Sequence, residues 1–204
     1  MDPQAHWDKI YRDNAPDHVS WYKPHLEASL ALIEQAGAGP STSIIDVGGG
    51  ESTLVDDLLA RSYSNLTVLD ISHAAIAATK KRLGDAAGRV RWLIDDITRA
   101  ELRPAFYDVW HDRAVFHFLT SAADRSAYVG QVVRAVRRGG HVIVSAFGPD
   151  GPTRCSGLDV VRYDAESLHA EFGVNFRLIS SSRELHKTPK GTMQQFLYCH
   201  CILQ

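Results

Sequence analysis

Cysteine is scarce: Cys155, Cys199 and Cys201 are the only three in 204 residues. An odd number without CxxC spacing suggests neither a disulfide framework nor a structural zinc site, so reduced thiols and no bound metal are expected. A surplus of charge is missing too. Lys and Arg total 22 against 24 Asp and Glu, a formal charge of −2, which leaves no positive field to hold a nucleic-acid backbone. No apolar run reaches the roughly 18 residues a membrane span requires, and the opening MDPQAHWDK has neither the basic nor the apolar region of a secretory signal. A cytoplasmic protein with no nucleic-acid and no membrane partner is expected. Repeats of about 20 to 50 residues and low-complexity tracts are absent, which removes solenoids and propellers. What is present is an ordinary globular composition, 45% hydrophobic and 23% charged, of a length suited to one domain.

Along that length, strand-like and helix-like segments alternate. The spacing of Leu26, Leu30 and Ile33 predicts a helix over 25–36, ended by Gly37 and Gly39. Residues 43–47, short and β-branched before Gly48-Gly49-Gly50, predict a buried parallel strand running into a tight turn. A helix over 52–61 follows, then a strand over 66–69 and a helix capped by Ser72. Strands are expected at 89–94, 107–111 and 141–147, and a helix at 123–137 ended by Gly139-Gly140. This pattern implies right-handed crossovers and a parallel sheet covered on both faces. After a helix near 165–172 the alternation stops. Residues 176–185 and 194–203 are both strand-like around Pro189 and Gly191, so they pair antiparallel and end the sheet in a hairpin.

In open α/β sheets ligands bind beyond the carboxyl ends of the strands, where strand order reverses. That places Asp46 to Ser52 at the site. Successive glycines let the backbone approach a ligand, and the helix that follows offers free N–H groups. Gly48 and Gly50 begin a dinucleotide fingerprint, G-x-G-x-x-G, whose third position is Thr53; on this basis a nicotinamide-dependent oxidoreductase is one reading. Asp70 ends the second strand 24 positions after Asp46, where a carboxylate can accept both hydroxyls of a ribose. Asp95-Asp96-Ile97 follows the third strand, an acid beside an apolar residue, suited to an adenine amino group and ring face.

These residues together resemble a class I S-adenosylmethionine-dependent methyltransferase. Its first motif, an acid followed by x-G-x-G-x-G, matches Asp46-Val47-Gly48-Gly49-Gly50-Glu51-Ser52 except at Ser52. The resemblance continues through Tyr107 to Arg113 and Arg137-Arg138-Gly139-Gly140 to the final hairpin. It implies an α/β fold with a doubly wound, mostly parallel seven-stranded sheet of order 3-2-1-4-5-7-6, the last strand reversed and helices on both faces. It implies S-adenosylmethionine as cofactor, with the glycine loop Asp46, Gly48, Gly49 and Gly50 on the methionine part, Asp70 and Ile71 at the ribose and Asp96 and Ile97 at adenine. The segment His6 to Tyr11 with Val19 to Tyr22 resembles that of elongation-factor lysine methyltransferases and bacterial relatives of unassigned substrate. Residues 1–24 are therefore expected to form an amino-terminal cap, with Trp21 and Tyr22 over the cofactor.

Methyl transfer from a sulfonium needs an in-line approach and, for an O, N or S nucleophile, a proton acceptor. Asp112, at the end of the fourth strand, and His117 are the candidate catalytic residues; His111 is expected to face away. A protein side chain such as lysine or a small molecule would be the acceptor. Convergence of Cys155, Cys199 and Cys201 would instead suit a soft thiophile. A catalytically silent binding module of the same fold is the remaining alternative.

Overall fold

The computed structural model describes residues 2–204. A helix missing from the expectations comes first: α1, Pro3–Asp13, capped by Asp2, whose Oδ1 accepts the Gln4 N–H at 3.1 Å. The signal was in the sequence, an Asp at the cap and Pro at the first helical position. Then follow α2 (Glu27–Gln35), β1 (Ser43–Val47), α3 (Leu54–Ala60), β2 (Asn65–Asp70), α4 (His73–Leu83), β3 (Val90–Ile94) and β4 (Tyr107–Arg113). The second half runs α5 (Ala122–Ala135), β5 (Val136–Phe147), the two-residue strands β6 (Arg154–Cys155) and β7 (Leu158–Asp159), α6 (Ala165–Phe172), β8 (Phe176–Lys187) and β9 (Met193–Leu203).

Seven strands form one sheet in the order β3-β2-β1-β4-β5-β9-β8. Every pairing from β3 to β5 is parallel, and β9 runs antiparallel to both β5 and β8. With the small β6–β7 hairpin set aside, this is the expected 3-2-1-4-5-7-6 sheet with its last strand reversed. Order reverses between β1 and β4, whose Val47 and Asp112 are paired at their carboxyl ends. All five residues of β1 are buried, as a central strand covered on both faces requires. One face packs Ile45, Val47, Trp110, Tyr128 and Cys199. The other packs Ile44, Val109, Leu58, Phe147 and Phe196. No helix among the described residues is long and apolar enough to cross a membrane.

Two boundaries differ from expectation for stated reasons. The helix expected over 123–137 stops at Ala135, and β5 begins at once, with Val136 paired to Tyr107. Arg137 is drawn into the strand by its ion pair with Asp108 at 2.6 Å, and Gly139, at φ +76°, lies in the irregular stretch where the β4–β5 register shifts. The glycines thus kink a strand and do not end a helix. Helix α3 starts two residues late because residues 49–52 form a turn. The Ser52 N–H donates to Gly49 O at 2.7 Å, and Ser52 Oγ accepts the Leu54 N–H at 3.2 Å.

Candidate active site

A cavity of about 410 Å³ opens at the carboxyl ends of β1, β2 and β4. Its wall contains eight of the ten expected cofactor residues: Asp46, Gly48, Asp70, Ile71, Asp96, Ile97, Trp21 and Tyr22. Gly49 and Gly50 lie behind it and shape the loop. A Cβ on Gly49 would come within 2.7 Å of Asp46 Oδ2, and one on Gly50 within 2.8 Å of Asp70 Oδ2. Gly48 is the most constrained, at φ +69° with a Cβ that would collide with Val115 Cγ2. Gly48→Ala is expected to cost about 2 kcal/mol or more. Thermal melting reads it, and Val115→Ala in the same chain should restore only the part due to the collision.

The acids of the wall are held in ways that leave oxygens free. Asp46, 4% exposed, sits 2.7 Å through Oδ1 from His111 Nδ1, while His111 Nε2 lies 2.9 Å from Ser29 Oγ. With the imidazole donating to the carboxylate, the Ser29 hydroxyl donates to Nε2, and Asp46 Oδ2 is buried without a partner. This connectivity matches a nucleophilic triad, but Ser29 is not in the cavity wall and cannot meet a substrate. It fixes the carboxylate. His111, expected to face away, lines the cavity; the sheet face opposite Asp112 is the one that carries Asp46.

Glu51 Oε2 is likewise buried and unpartnered, and burial pushes its carboxyl up to about 7 against the pull of Arg82. Asp70 accepts the Ser72 N–H at 2.8 Å. Its burial, with the nearby charges of Asp46 and Asp8, outweighs the N–H donors of Ser72 and Gly50 and raises it to about 7. Asp96 turns one oxygen to the Thr98 N–H and hydroxyl, at 2.9 and 2.8 Å. The site is thus rich in carboxylates, two of which keep an unpartnered oxygen, and suits a ligand bearing an ammonium group and hydroxyls.

Helix α1 lies against the cavity and is tied to the turn after β2. Asp8 Oδ1 accepts the Ser72 hydroxyl at 2.7 Å and the Ala74 N–H at 2.9 Å, and Gln4 Nε2 donates to Ile71 O at 3.1 Å. From this helix Trp7 meets Phe118 edge-on at 5.0 Å and Trp21 at 6.0 Å, and Tyr11 meets Trp21 at 6.1 Å. All four line the cavity. The loop after β5 contributes Cys155 and Leu158, brought there by the β6–β7 hairpin whose turn, Ser156-Gly157, has positive φ at both residues. Arg154, by contrast, is exposed and paired with Asp159.

The expectation that Asp112 and His117 stand beside the reacting methyl is corrected by their positions. Neither lines the cavity, and both are 0% exposed. Asp112 accepts the Val115 N–H at 2.9 Å, the Phe116 N–H at 3.1 Å and the Tyr128 hydroxyl at 2.7 Å on the far face of the sheet. Burial raises it to about 6, and both of its oxygens already accept hydrogen bonds away from the cavity. His117 is stacked on Phe147 at 4.3 Å, accepts the Phe147 N–H through Nδ1, and is pushed by burial down to about 3. A neutral, enclosed imidazole cannot take a substrate proton. The cysteines do not converge either: Cys155 packs on one face of the sheet, Cys199 and Cys201 on the other. Among the described residues no group of three His, Cys, Asp or Glu could hold a metal ion.

Comparison with known proteins agrees with this geometry. Residues 45–142 match the family model described as a methyltransferase domain. The mouse eEF1A lysine and N-terminal methyltransferase is 26% identical over 108 residues, 53% of this chain and 15% of that protein. Nodulation protein S of Rhizobium tropici is 26% identical over 133 residues, 65% of this chain and 52% of that protein. The chain therefore spans about half of one relative's length and far less of the other's. The structure of Burkholderia thailandensis 1,6-didemethyltoxoflavin-N1-methyltransferase, with bound S-adenosylhomocysteine, superposes with a TM-score of 0.69 at 20% identity, covering 98% of this chain and 84% of that one. Residues 45–142 thus match a methyltransferase domain, and the seven-stranded sheet with its reversed strand, the glycine turn and the acid-lined cavity at the switch point are the fold shared with the solved S-adenosylmethionine-dependent methyltransferase structures.

Proposed function

We propose that the protein transfers the methyl group of S-adenosylmethionine to an O, N or S nucleophile of a small molecule or a slender protein side chain, as a single cytoplasmic domain capped by residues 1–24. The observation that carries this is the pair of buried, unpartnered oxygens, Asp46 Oδ2 and Glu51 Oε2, on residues of the cavity wall. An ammonium group is the kind of partner such oxygens call for. Asp70 would hold the ribose, and Asp96 with Ile71 and Ile97 the adenine. Bound S-adenosylmethionine would supply a methyl group on a sulfonium, displaced in line by the acceptor's lone pair as the C–S electron pair stays on sulfur.

The chain's part in this is binding, orientation and exclusion of water. Trp7, Tyr11, Trp21 and Phe118 would close the site, and Trp21, Tyr22, Phe147, Cys155 and Leu158 bound the remaining space for an acceptor. Asp112 acts at one remove, by holding the backbone of Val115 and Phe116 under the cavity. The acceptor's proton would pass to solvent as the site opens for product release.

Incubation with methyl-labelled S-adenosylmethionine and a host extract split by size tests the proposal. Label in macromolecules points to a protein acceptor, and label in small molecules to a metabolite. Binding of S-adenosylhomocysteine without label in either fraction favours a silent module. Binding of NADH in its place would sink the proposal. The cap is tested separately: Trp7→Ala should speed S-adenosylhomocysteine release by roughly 5- to 30-fold, equivalent to about 1 to 2 kcal/mol. An unchanged release rate in stopped-flow would remove the lid role.

A further inference from the structure

We propose that Arg113 is an anion-binding residue of the cavity, taking a carboxylate through its free Nη2–H; the assignment of that carboxylate to cofactor or acceptor rests on the methyltransferase function proposed above. Arg113 ends β4, lines the cavity and has only 5% of its side chain exposed. Its fork is held rigidly. Nε donates to the Tyr198 hydroxyl at 3.0 Å, Nη1 donates to Trp21 O at 2.9 Å, and the guanidinium lies over the Phe196 ring at 4.3 Å. Nη2 is buried with no hydrogen-bond partner.

The nearest carboxylate does not fill that vacancy. Glu184 Oε2 is 3.8 Å from Nη2, beyond hydrogen-bond reach, and accepts the Tyr198 hydroxyl at 3.1 Å. Its other oxygen takes Lys23 Nζ at 2.6 Å. Lys23 is drawn also toward the mostly exposed Glu27 at 2.9 Å, so Lys23 and Arg113 share Glu27 and Glu184 as counter-charges, and what Arg113 lacks is a hydrogen-bond acceptor for Nη2. A buried guanidinium N–H without a partner is costly, and a planar carboxylate is the partner its geometry suits. The same cavity wall carries the acids Asp46, Glu51, Asp70, Asp95, Asp96 and Asp124, with Lys23 and Arg113 as its lysine and arginine cations. Two carboxylates are candidates for Nη2: that of the cofactor's methionine end, or one on the acceptor.

Titration calorimetry on the full chain separates them. S-adenosylhomocysteine is compared with 5′-methylthioadenosine, which lacks the amino acid, in wild type and in Arg113→Gln; benzoate is then titrated into the protein saturated with S-adenosylhomocysteine. A loss of roughly 10-fold or more for S-adenosylhomocysteine, with 5′-methylthioadenosine unchanged, assigns the carboxylate to the cofactor. Unchanged S-adenosylhomocysteine affinity with benzoate binding lost assigns it to the acceptor. Equal affinities of wild type and variant for both carboxylates, or equal losses for S-adenosylhomocysteine and 5′-methylthioadenosine, overturn the proposal. If Arg113→Gln does not melt cooperatively, Arg113→Lys, which keeps the charge and loses the fork, replaces it under the same criteria. A wild type that binds no S-adenosylhomocysteine would refute the methyltransferase function and leave Arg113 to be judged by benzoate alone; binding no tighter than to the variant then overturns the anion site.

Discussion

Asp70→Asn is expected to weaken S-adenosylhomocysteine binding by roughly 10- to 100-fold while making the unliganded protein more stable at pH 8. The two effects share one cause. Burial raises the Asp70 carboxyl from 3.8 to about 7, so the folded state keeps its proton where the unfolded state has lost it. Stability is whole below about pH 4, falls as pH rises toward 7, and stays reduced above. The amide carries no such penalty. It still accepts the Ser72 N–H, although its NH2 meets the Gly50 N–H poorly, so the net gain at pH 8 is on the order of 1 to 2 kcal/mol and vanishes near pH 4. Melting curves at the two pH values read this; parallel curves for variant and wild type would show that Asp70 is ionised at no cost.

The same groups give binding a pH dependence. Asp70 and Glu51 both stand near 7 in the free protein, and ligand hydroxyls and an ammonium group favour their ionised forms. Affinity for S-adenosylhomocysteine is therefore expected to rise between about pH 6 and pH 8, and to rise less steeply in Asp70→Asn, where only Glu51 remains to titrate. A profile flat in both proteins would separate these carboxyls from the ligand.

Asp112→Ala is expected to be the most destabilising single change on the carboxyl edge of the sheet. It leaves the Val115 N–H, the Phe116 N–H and the Tyr128 hydroxyl without their acceptor at a site with no access to water. Such donors cost about 1 to 3 kcal/mol each. With relaxation the total is about 3 to 5 kcal/mol, a melting temperature lower by roughly 10 °C. Asp112→Asn keeps one acceptor oxygen, and should fall between the two and lower turnover more than cofactor affinity by shifting Val115 and Phe116. A variant with native melting and lost turnover would return Asp112 to the chemistry itself.

The alternation of strands and helices, the antiparallel ending and the location of the cavity were legible in the sequence because they follow from short-range signals, whereas the strand order came from the resemblance to a family. Apolar runs bounded by glycine, alternating with helical periodicity, leave few topologies, and Pro189 with Gly191 forces the antiparallel ending. Much of the cavity wall was legible for the same reason: Gly48, Asp70 and Asp96 each lie at or within two residues of the carboxyl end of a strand, so the sheet alone brings them to one edge. Which side of a strand a residue faces at that edge depends instead on what packs on each face. Asp112 and His111 are neighbours in β4, and nothing local says that Tyr128 waits on one side and Asp46 with Ser29 on the other. Hydrogen-bond partners 16 to 82 positions away decided that the first would be buried and the second would line the cavity. Arg113 shows the same limit. Its charge was plain from the sequence, but its free N–H exists only because Tyr198, Trp21 and Phe196, gathered by tertiary packing, hold the rest of the fork in place.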